Sequence, residues 1–229
     1  MTGTFRKIEA VIFDLDDTLF PERQYIRSGY GAIGRHLRKA LGCEEPFEQW
    51  LWLRFESGQT EGAFDALSEN FDLGVSQSQI VELVEIYRRH VPQIAPFGGI
   101  ADFLGKLRSL FKLGLLSDGF MPAQELKFRA LKLERFFDEV IFTENLGRDA
   151  WKPSTIGFTK LSSALGVADK NCVYVGDNPA KDFVAPNKLG WLSVQWIRPR
   201  QIHSHKPPPN GGQPMRQVRS PGELYSLLQ

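Results

Sequence analysis

The chain has 229 residues, 42% of them hydrophobic, so it is long enough to bury a core and has the composition of a globular protein. Its 28 Lys and Arg residues nearly cancel its 27 Asp and Glu residues, which is unlike the concentrated positive charge of a nucleic-acid-binding surface. The first apolar stretch, residues 8–13, is too short for a signal peptide or a membrane span. The wide spacing of Cys43 and Cys172 favours reduced thiols over a disulfide framework. We therefore expect a cytoplasmic protein without nucleic-acid or membrane partners. We make no prediction of its oligomeric state.

Short apolar runs along the chain predict the strands of a parallel sheet. Residues 10–13 form an uninterrupted apolar run that ends at Asp14, which is typical of a strand buried on both faces. Similar runs lie at residues 113–116 and 172–175, and weaker candidates lie at 140–143 and 192–197. Helical periodicity separates several of these runs, at residues 101–111 and 156–165. This alternation predicts an α/β fold, a doubly wound, Rossmann-like parallel sheet of about five strands.

One long stretch contains helical patterns only, at residues 26–41, 46–55, 61–67 and 77–87. Because no strand pattern separates them, we predict an inserted helical domain over residues 20–93 and a discontinuous core of residues 1–19 and 94–229. Residues 198–220 are rich in Pro, Gly and basic residues, and we expect a loop or mobile segment there. The chain should close with a short helix that has Ser220 as its N-cap.

Polar residues follow the predicted strands at the edge where parallel sheets bind their ligands. The residues in this position are Asp14, Asp16, Ser117, Asp118, Lys152, Asp177 and Asp182. Ionised carboxylates that crowd together need a cation, because like charges disfavour each other's charged form. Oxygen ligands without His or Cys favour magnesium (Mg2+) over zinc. The pattern predicts a magnesium site that also binds a small phosphorylated metabolite.

The same residues suggest a chemical role for each group at this edge. Asp14 is the predicted nucleophile toward phosphorus, and Asp16 would protonate the leaving alcohol and then activate water. Ser117 and Lys152 would contact the transferring phosphoryl group, and Asp118 is placed with them in the phosphate-binding set. A Ser-Asp-Gly segment is also an ordinary turn, which is the alternative interpretation of Ser117, and the simpler interpretation of Asp118 is structural. Asp17 has a simpler interpretation, as a residue that makes local hydrogen bonds.

Four motifs of the chain resemble, in content and in order, those of the haloacid dehalogenase (HAD) superfamily. Residues 14–18 (Asp-Leu-Asp-Asp-Thr) resemble its motif I, Ser117 motif II, Lys152 motif III and residues 176–182 motif IV. The resemblance spans nearly the whole chain and implies that Asp14 becomes phosphorylated. It also implies three supporting roles, namely a metal-ligating backbone carbonyl and acid/base group at Asp16, a direct magnesium ligand at Asp177 and a supporting carboxylate at Asp182.

The helical insertion resembles the C1 cap of that superfamily, which closes over the site and helps to choose the substrate. Asp16 favours a phosphatase over a dehalogenase, because an alcohol needs a proton to leave and a halide does not. Three alternatives stay open: a phosphomutase of the same superfamily, a receiver-like signalling module and a non-catalytic binding relative. A receiver domain would carry its phosphoacceptor after a middle strand and would have no large helical insertion.

Overall fold

The computed structural model describes residues 7–229, and these residues form two units. The core unit comprises the described residues up to Glu22 together with Ala95–Gln229, and the helical unit comprises Arg23–Ile94. No helix within residues 7–229 has the length and apolar character needed to cross a bilayer. Cys172 is buried, and neither it nor Cys43 forms a disulfide within residues 7–229.

The core unit is built on a six-stranded sheet with the order β3-β2-β1-β4-β5-β6. All neighbouring strands pair in parallel, which confirms the predicted doubly wound α/β fold. The strands are β1 (Ala10–Phe13), β2 (Lys112–Ser117), β3 (Glu139–Phe142), β4 (Cys172–Gly176), β5 (Leu192–Trp196) and β6 (Arg216–Val218).

The sheet is covered by helices whose apolar residues complete the core. These helices are α5 (Ile100–Arg108), α6 (Ala123–Leu131), α7 (Ile156–Leu165), α8 (Val184–Leu189) and α9 (Pro221–Leu228). On one face, Phe158 of α7 stacks edge-on against Tyr174 of β4 and Trp191, with ring centroids 4.9 and 5.5 Å apart. Every residue of β1 is buried, as a strand in the middle of a covered sheet requires.

Two elements differ from the sequence-based expectation in ways that affect the site. Helix α6 was not predicted, because its buried face includes the polar residues Gln124 and Lys127 in addition to apolar ones. The segment 198–220, expected as a loop or mobile segment, ends in strand β6, which pairs with β5. Asn187 also donates hydrogen bonds of 2.8 Å to the carbonyls of Gly211 and Gln213, which holds the segment against α8.

The helical unit contains α1 (Glu22–Leu41), which starts at the last residue of the first core segment, followed by α2 (Phe47–Glu56), α3 (Ala63–Asn70) and α4 (Gln77–Arg89). Helix α4 starts with a capping box between Ser76 and Gln79, which satisfies its first backbone N–H groups. Phe47 and Phe55 of α2 are buried in this unit. The unit is therefore all-helical, as the periodicity of residues 26–87 indicates.

Candidate active site

The carboxyl ends of three neighbouring strands lie level at one edge of the sheet. Phe13, the last residue of β1, pairs with Leu115 of β2 and Val175 of β4. The backbone N–H of Asp14 continues this ladder and donates to the Val175 carbonyl at 2.9 Å. The polar residues that follow these strands therefore meet at one place, as the order of motifs predicts.

Lys152 lies at the centre of this group of side chains. Its ammonium donates three hydrogen bonds of 2.8 Å, to Asp14 Oδ1, Asp182 Oδ1 and the Tyr174 hydroxyl. Burial alone would lower the pKa of Lys152, but attraction to Asp14 and Asp182 outweighs it, so the pKa lies well above its usual value. Lys152 is therefore a fixed cation. Tyr174 is a site residue that the apolar pattern of β4 concealed.

Three carboxylates form a buried cluster beside this cation. Ligand oxygens of Asp14, Asp177 and Asp182 all lie within 4.8 Å of one another. Burial raises the pKa of Asp14 to about 6, although Lys152 opposes the shift. Burial, followed by repulsion from Asp182 and Asp14, raises the pKa of Asp177 well above its usual value. The geometry thus favours a bound cation, because one would remove this repulsion.

Asp182 is held in place by the loop that carries it. Its Oδ2 accepts a 2.8 Å hydrogen bond from the backbone N–H of Asn178, and its Oδ1 accepts one from Lys152. A Cβ atom at Gly176 would lie 2.6 Å from Asp182 Oδ2, so the end of β4 needs a glycine for the carboxylate to pack there. Asp182 therefore orients Lys152 and the motif IV loop.

The Asp16 carboxylate has a different environment from the other three. Lys127 Nζ and Gln124 Nε2, both on α6, donate to it at 2.7 and 3.0 Å. The Asp16 side chain is thus paired with Lys127 of α6. The sequence carried no indication of this pair, because α6 was not predicted and the two residues are 111 positions apart.

The two residues after β2 have distinct surroundings. The Ser117 hydroxyl is buried and has no hydrogen-bond partner among residues 7–229. The Asp118 carboxylate accepts hydrogen bonds from Thr143 Oγ1 at 2.8 Å and from the backbone N–H of Lys152 at 3.1 Å. Asp118 thus positions the loop that presents Lys152, which supports the structural interpretation of its side chain, whereas Ser117 retains a free hydrogen-bonding group.

Asp17 stabilises the turn that follows the first strand. Its backbone has a φ of 52°, a left-handed conformation that is uncommon for a residue with a side chain. Its carboxylate accepts the backbone N–H of Glu22 at 2.8 Å and that of Ile202 at 2.7 Å. The first contact supplies a partner for an N–H at the start of α1. These contacts agree with the expectation of a hydrogen-bonding role for Asp17, although the second one is long-range.

Several known proteins resemble this chain in sequence or in fold. A glyceraldehyde 3-phosphate phosphatase of Methanopyrus kandleri is 28% identical over 96% of this chain and 97% of its own length. The pyrimidine 5'-nucleotidase YjjG of Escherichia coli is 23% identical over 97% of this chain and 98% of its own length. The crystal structure of the HAD-hydrolase YfnB from Bacillus subtilis, bound to magnesium, shares the fold. It has a TM-score of 0.69 and 20% identity, and the match covers 97% of this chain and 99% of that one.

The family comparison covers most of the chain. Residues 8–190 match the family described as haloacid dehalogenase-like hydrolase. This range includes every predicted site residue, from Asp14 to Asp182. The chain therefore belongs to the haloacid dehalogenase-like hydrolases.

Proposed function

We propose that this hydrolase is a magnesium-dependent phosphatase that cleaves a small phosphomonoester through an aspartyl-phosphate at Asp14. The observation that carries the proposal is the buried cluster of Asp14, Asp177 and Asp182 beside the Lys152 ammonium. A carboxylate nucleophile, a fixed cation and a set of oxygen ligands are together what phosphoryl transfer requires.

The residues present fit a magnesium ion. Asp177 Oδ2 is buried and has no hydrogen-bond partner within residues 7–229. Buried polar atoms normally have a partner, so this oxygen is available to bind a metal ion. The donor set near it consists of carboxylates, which suit a hard cation. We infer that Asp14 and Asp177 hold the metal, with the backbone carbonyl of Asp16 as the further ligand that the family resemblance implies. When bound, magnesium would offset the charge of the substrate phosphate.

Asp14 is the proposed nucleophile, and Lys152 orients it. The hydrogen bond from Lys152 to Oδ1 leaves Oδ2 as the oxygen that forms the bond to phosphorus while the ester P–O bond breaks. The leaving oxygen takes a proton from Asp16 and departs as an alcohol. Asp16 then accepts a proton from the water that attacks the aspartyl-phosphate, which releases inorganic phosphate and restores Asp14.

Two further groups act on the phosphoryl oxygens in this proposal. The unpartnered Ser117 hydroxyl is available to donate a hydrogen bond to one of them. Lys152 is a permanent positive charge next to the nucleophile, so it stabilises charge on the group in transfer. Lys127 and Gln124 hold the Asp16 carboxylate in one orientation, which acid/base catalysis depends on.

The relatives support a phosphomonoester substrate without selecting one. One is named for a triose phosphate and another for a pyrimidine nucleotide. These two substrates share little beyond the phosphate ester. The Asp14, Lys152 and Ser117 groups recognise that shared part. We further propose that residues 23–94 correspond to the C1 cap and contribute to substrate choice. A cytoplasmic location also remains a prediction.

The experiment that tests the function is phosphate release from a panel of phosphorylated sugars, nucleotides and phosphoamino acids. Each compound is assayed with magnesium and with excess chelator, using the wild-type enzyme and Asp14→Asn. Asp102→Asn is a matched control, because Asp102 is an exposed residue of α5. We expect metal-dependent release by the wild type and the control only. Metal-dependent release that persists in Asp14→Asn would refute the assigned nucleophile.

A further inference from the structure

A short segment near the C-terminus contacts the motif I turn. Residues 201–204, which we call the strap, lie beyond residue 190, where the family match ends. Gln201 of the strap is 9% exposed. Its side-chain amide donates 2.8 Å hydrogen bonds to the carbonyls of Asp17 and Trp196. The strap thus joins the turn after β1 to the end of β5, and the family match does not include it.

The second residue of the strap contacts the same turn. The backbone N–H of Ile202 donates to Asp17 Oδ2 at 2.7 Å. The strap therefore binds both the carbonyl and the carboxylate of Asp17, whose backbone is left-handed at a φ of 52°. A residue with a side chain keeps such a conformation only where its surroundings impose it. We attribute this conformation in part to the strap.

The strap is also connected to motif IV. The Gln195 side-chain amide donates to the Asp177 carbonyl at 3.1 Å and to the Ser204 carbonyl at 2.9 Å. One amide thus joins the backbone of a proposed metal ligand to the last residue of the strap. Both loops that carry the candidate metal ligands are therefore connected to this segment by buried and partly buried hydrogen bonds, which hold groups more firmly than exposed ones do.

We propose that Gln201 is a positioning residue that fixes the motif I turn and thereby sets the geometry of the neighbouring Asp16. This inference rests on the proposed phosphatase function, since it assigns a part in catalysis to a group that does not touch the substrate. The reason for an effect on catalysis is geometric. Asp17 follows Asp16 directly, so a shift of its backbone moves both the Asp16 carbonyl and its carboxylate.

The test compares Gln201→Met with the wild type in steady-state kinetics. Methionine keeps the length of the side chain and removes the two donated hydrogen bonds, together with the one that Gln201 Oε1 accepts from the Arg198 backbone N–H. We expect kcat to fall by about tenfold while KM changes by less than about twofold, because the misplaced group acts in the transition state. Gln213→Met is the matched control, because the Gln213 side chain is exposed in the same part of the chain, and it should leave both constants unchanged.

A second readout does not depend on activity. Hydrogen–deuterium exchange should be faster at residues 15–19 in Gln201→Met than in the wild type, at a temperature where both remain folded. Gln201→Asn, which retains a shorter amide, should lie between the two in exchange and in kcat. If the wild type hydrolyses no phosphomonoester, the proposed function fails, and the exchange data still decide whether the strap holds the turn.

Three results would overturn the proposal for Gln201. Wild-type kcat in Gln201→Met would show that the hydrogen bonds do not affect catalysis. Unchanged exchange at residues 15–19 would show that the strap does not hold the turn. A decrease in kcat that matches the fraction of unfolded protein, measured by thermal denaturation, would show a role in stability alone.

Discussion

The buried ion pairs of the core unit contrast with the more exposed ion pairs of the helical unit. In the core unit, the Lys152 side chain is 0% exposed and pairs with the almost fully buried Asp14 and Asp182. In the helical unit, Arg38 and Glu48 pair with side chains that are 23% and 37% exposed. Arg89 and Glu85 are more exposed still, at 66% and 44%. The buried pairs of Lys152 and the exposed pairs of the helical unit thus lie in very different dielectric surroundings.

This difference indicates where the chain uses charge for chemistry. Ions that leave water lose solvation that their mutual attraction repays only in part, so buried pairs are a weak means of stabilising a fold. A buried network of one lysine and several aspartates is better explained by catalysis, for which desolvated and oriented groups are needed. The exposed pairs of the helical unit have no such cost and contribute little to stability.

The largest effect should follow the loss of the buried cation. We expect Lys152→Met to lower the free energy of unfolding by about 3–5 kcal/mol, because it leaves buried carboxylates without their partner. Turnover should fall by about a hundred- to a thousandfold. Urea denaturation and phosphate release measure the two effects. Lys160→Met, at an exposed position of α7, is the control. Equal losses of stability and turnover in the two variants would contradict the contrast between buried and exposed charge.

The second prediction concerns the metal. Asp177→Asn should raise the magnesium concentration for half-maximal activity by at least about a hundredfold, because Asp177 is the proposed direct ligand. Loss of a direct ligand should weaken metal binding more than loss of a supporting hydrogen bond, which costs about 10–100-fold. Titration of activity against magnesium gives this value. Asp102→Asn should titrate like the wild type. A wild-type magnesium requirement in Asp177→Asn would place the metal elsewhere.

The third prediction is the pH dependence of the metal-free enzyme. Burial raises the pKa of Asp14 to about 6, above the value near 3.9 of an unfolded chain. The folded state therefore binds more protons than the unfolded state between these values, and stability should decrease as pH rises from about 4 to about 6. The loss should be on the order of 2 kcal/mol in chelator. Thermal denaturation of the wild type and of Asp14→Asn across this range measures it, and the same pH dependence in both proteins would contradict the assignment.

A smaller effect on turnover is expected at Lys127, whose side chain is 6% exposed and whose partner Asp16 is 17% exposed. We expect Lys127→Met to lower kcat by about tenfold through a misoriented Asp16. Its free energy of unfolding should change less than that of Lys152→Met, because solvent reaches Asp16. Arg129→Met, on the same helix with a 69% exposed side chain, is the control. An unchanged kcat in Lys127→Met would exclude a part for this pair in catalysis.

The smallest effect belongs to the helical unit. Arg38→Met should lower the free energy of unfolding by about 1 kcal/mol or less, because the pair with Glu48 is partly exposed. The hydrogen bond from Arg38 lowers the pKa of Glu48, so the contribution is present above the unfolded pKa and is lost as pH falls through the lowered one. Denaturation at neutral and acidic pH measures this, and a decrease as large as that of Lys152→Met would refute the comparison.

The strands that carry the site could be predicted because their apolar residues indicate burial on both faces of the sheet. Ala10–Phe13 is a run of apolar residues and proved to be β1, buried along its whole length. Such a strand can be predicted from its own residues alone, since a strand covered on both faces is apolar throughout. The polar residue directly after each run then identifies the edge of the sheet. The positions of Asp14, Ser117 and Asp177 follow from this local pattern.

Helix α6 could not be predicted in the same way. Its buried face carries Gln124 and Lys127 beside Phe128 and Leu131, so the apolar periodicity that indicates a buried helix is interrupted. Those two polar residues are buried because they bond to Asp16, 108 and 111 positions away. Strand β6 was missed for a related reason, since Arg216 and Gln217 are exposed on a strand of three residues. For α6 the deciding partner, Asp16, lies far away in the chain, and for β6 it is the preceding strand, β5.

Residue type and local periodicity were enough to predict the parallel α/β core, the run of helices over residues 26–87 and the aspartates at the strand ends. The pairing of those polar groups depends on the tertiary fold. The fold paired Lys152 with Asp14, Asp182 and the Tyr174 hydroxyl, and it directed Asp16 to Lys127. It also brought Gln201 to Asp17 across 184 positions. Hydrogen bonds and charge pairs depend on distances of a few ångström, and only the folded chain brings residues so distant in sequence that close together.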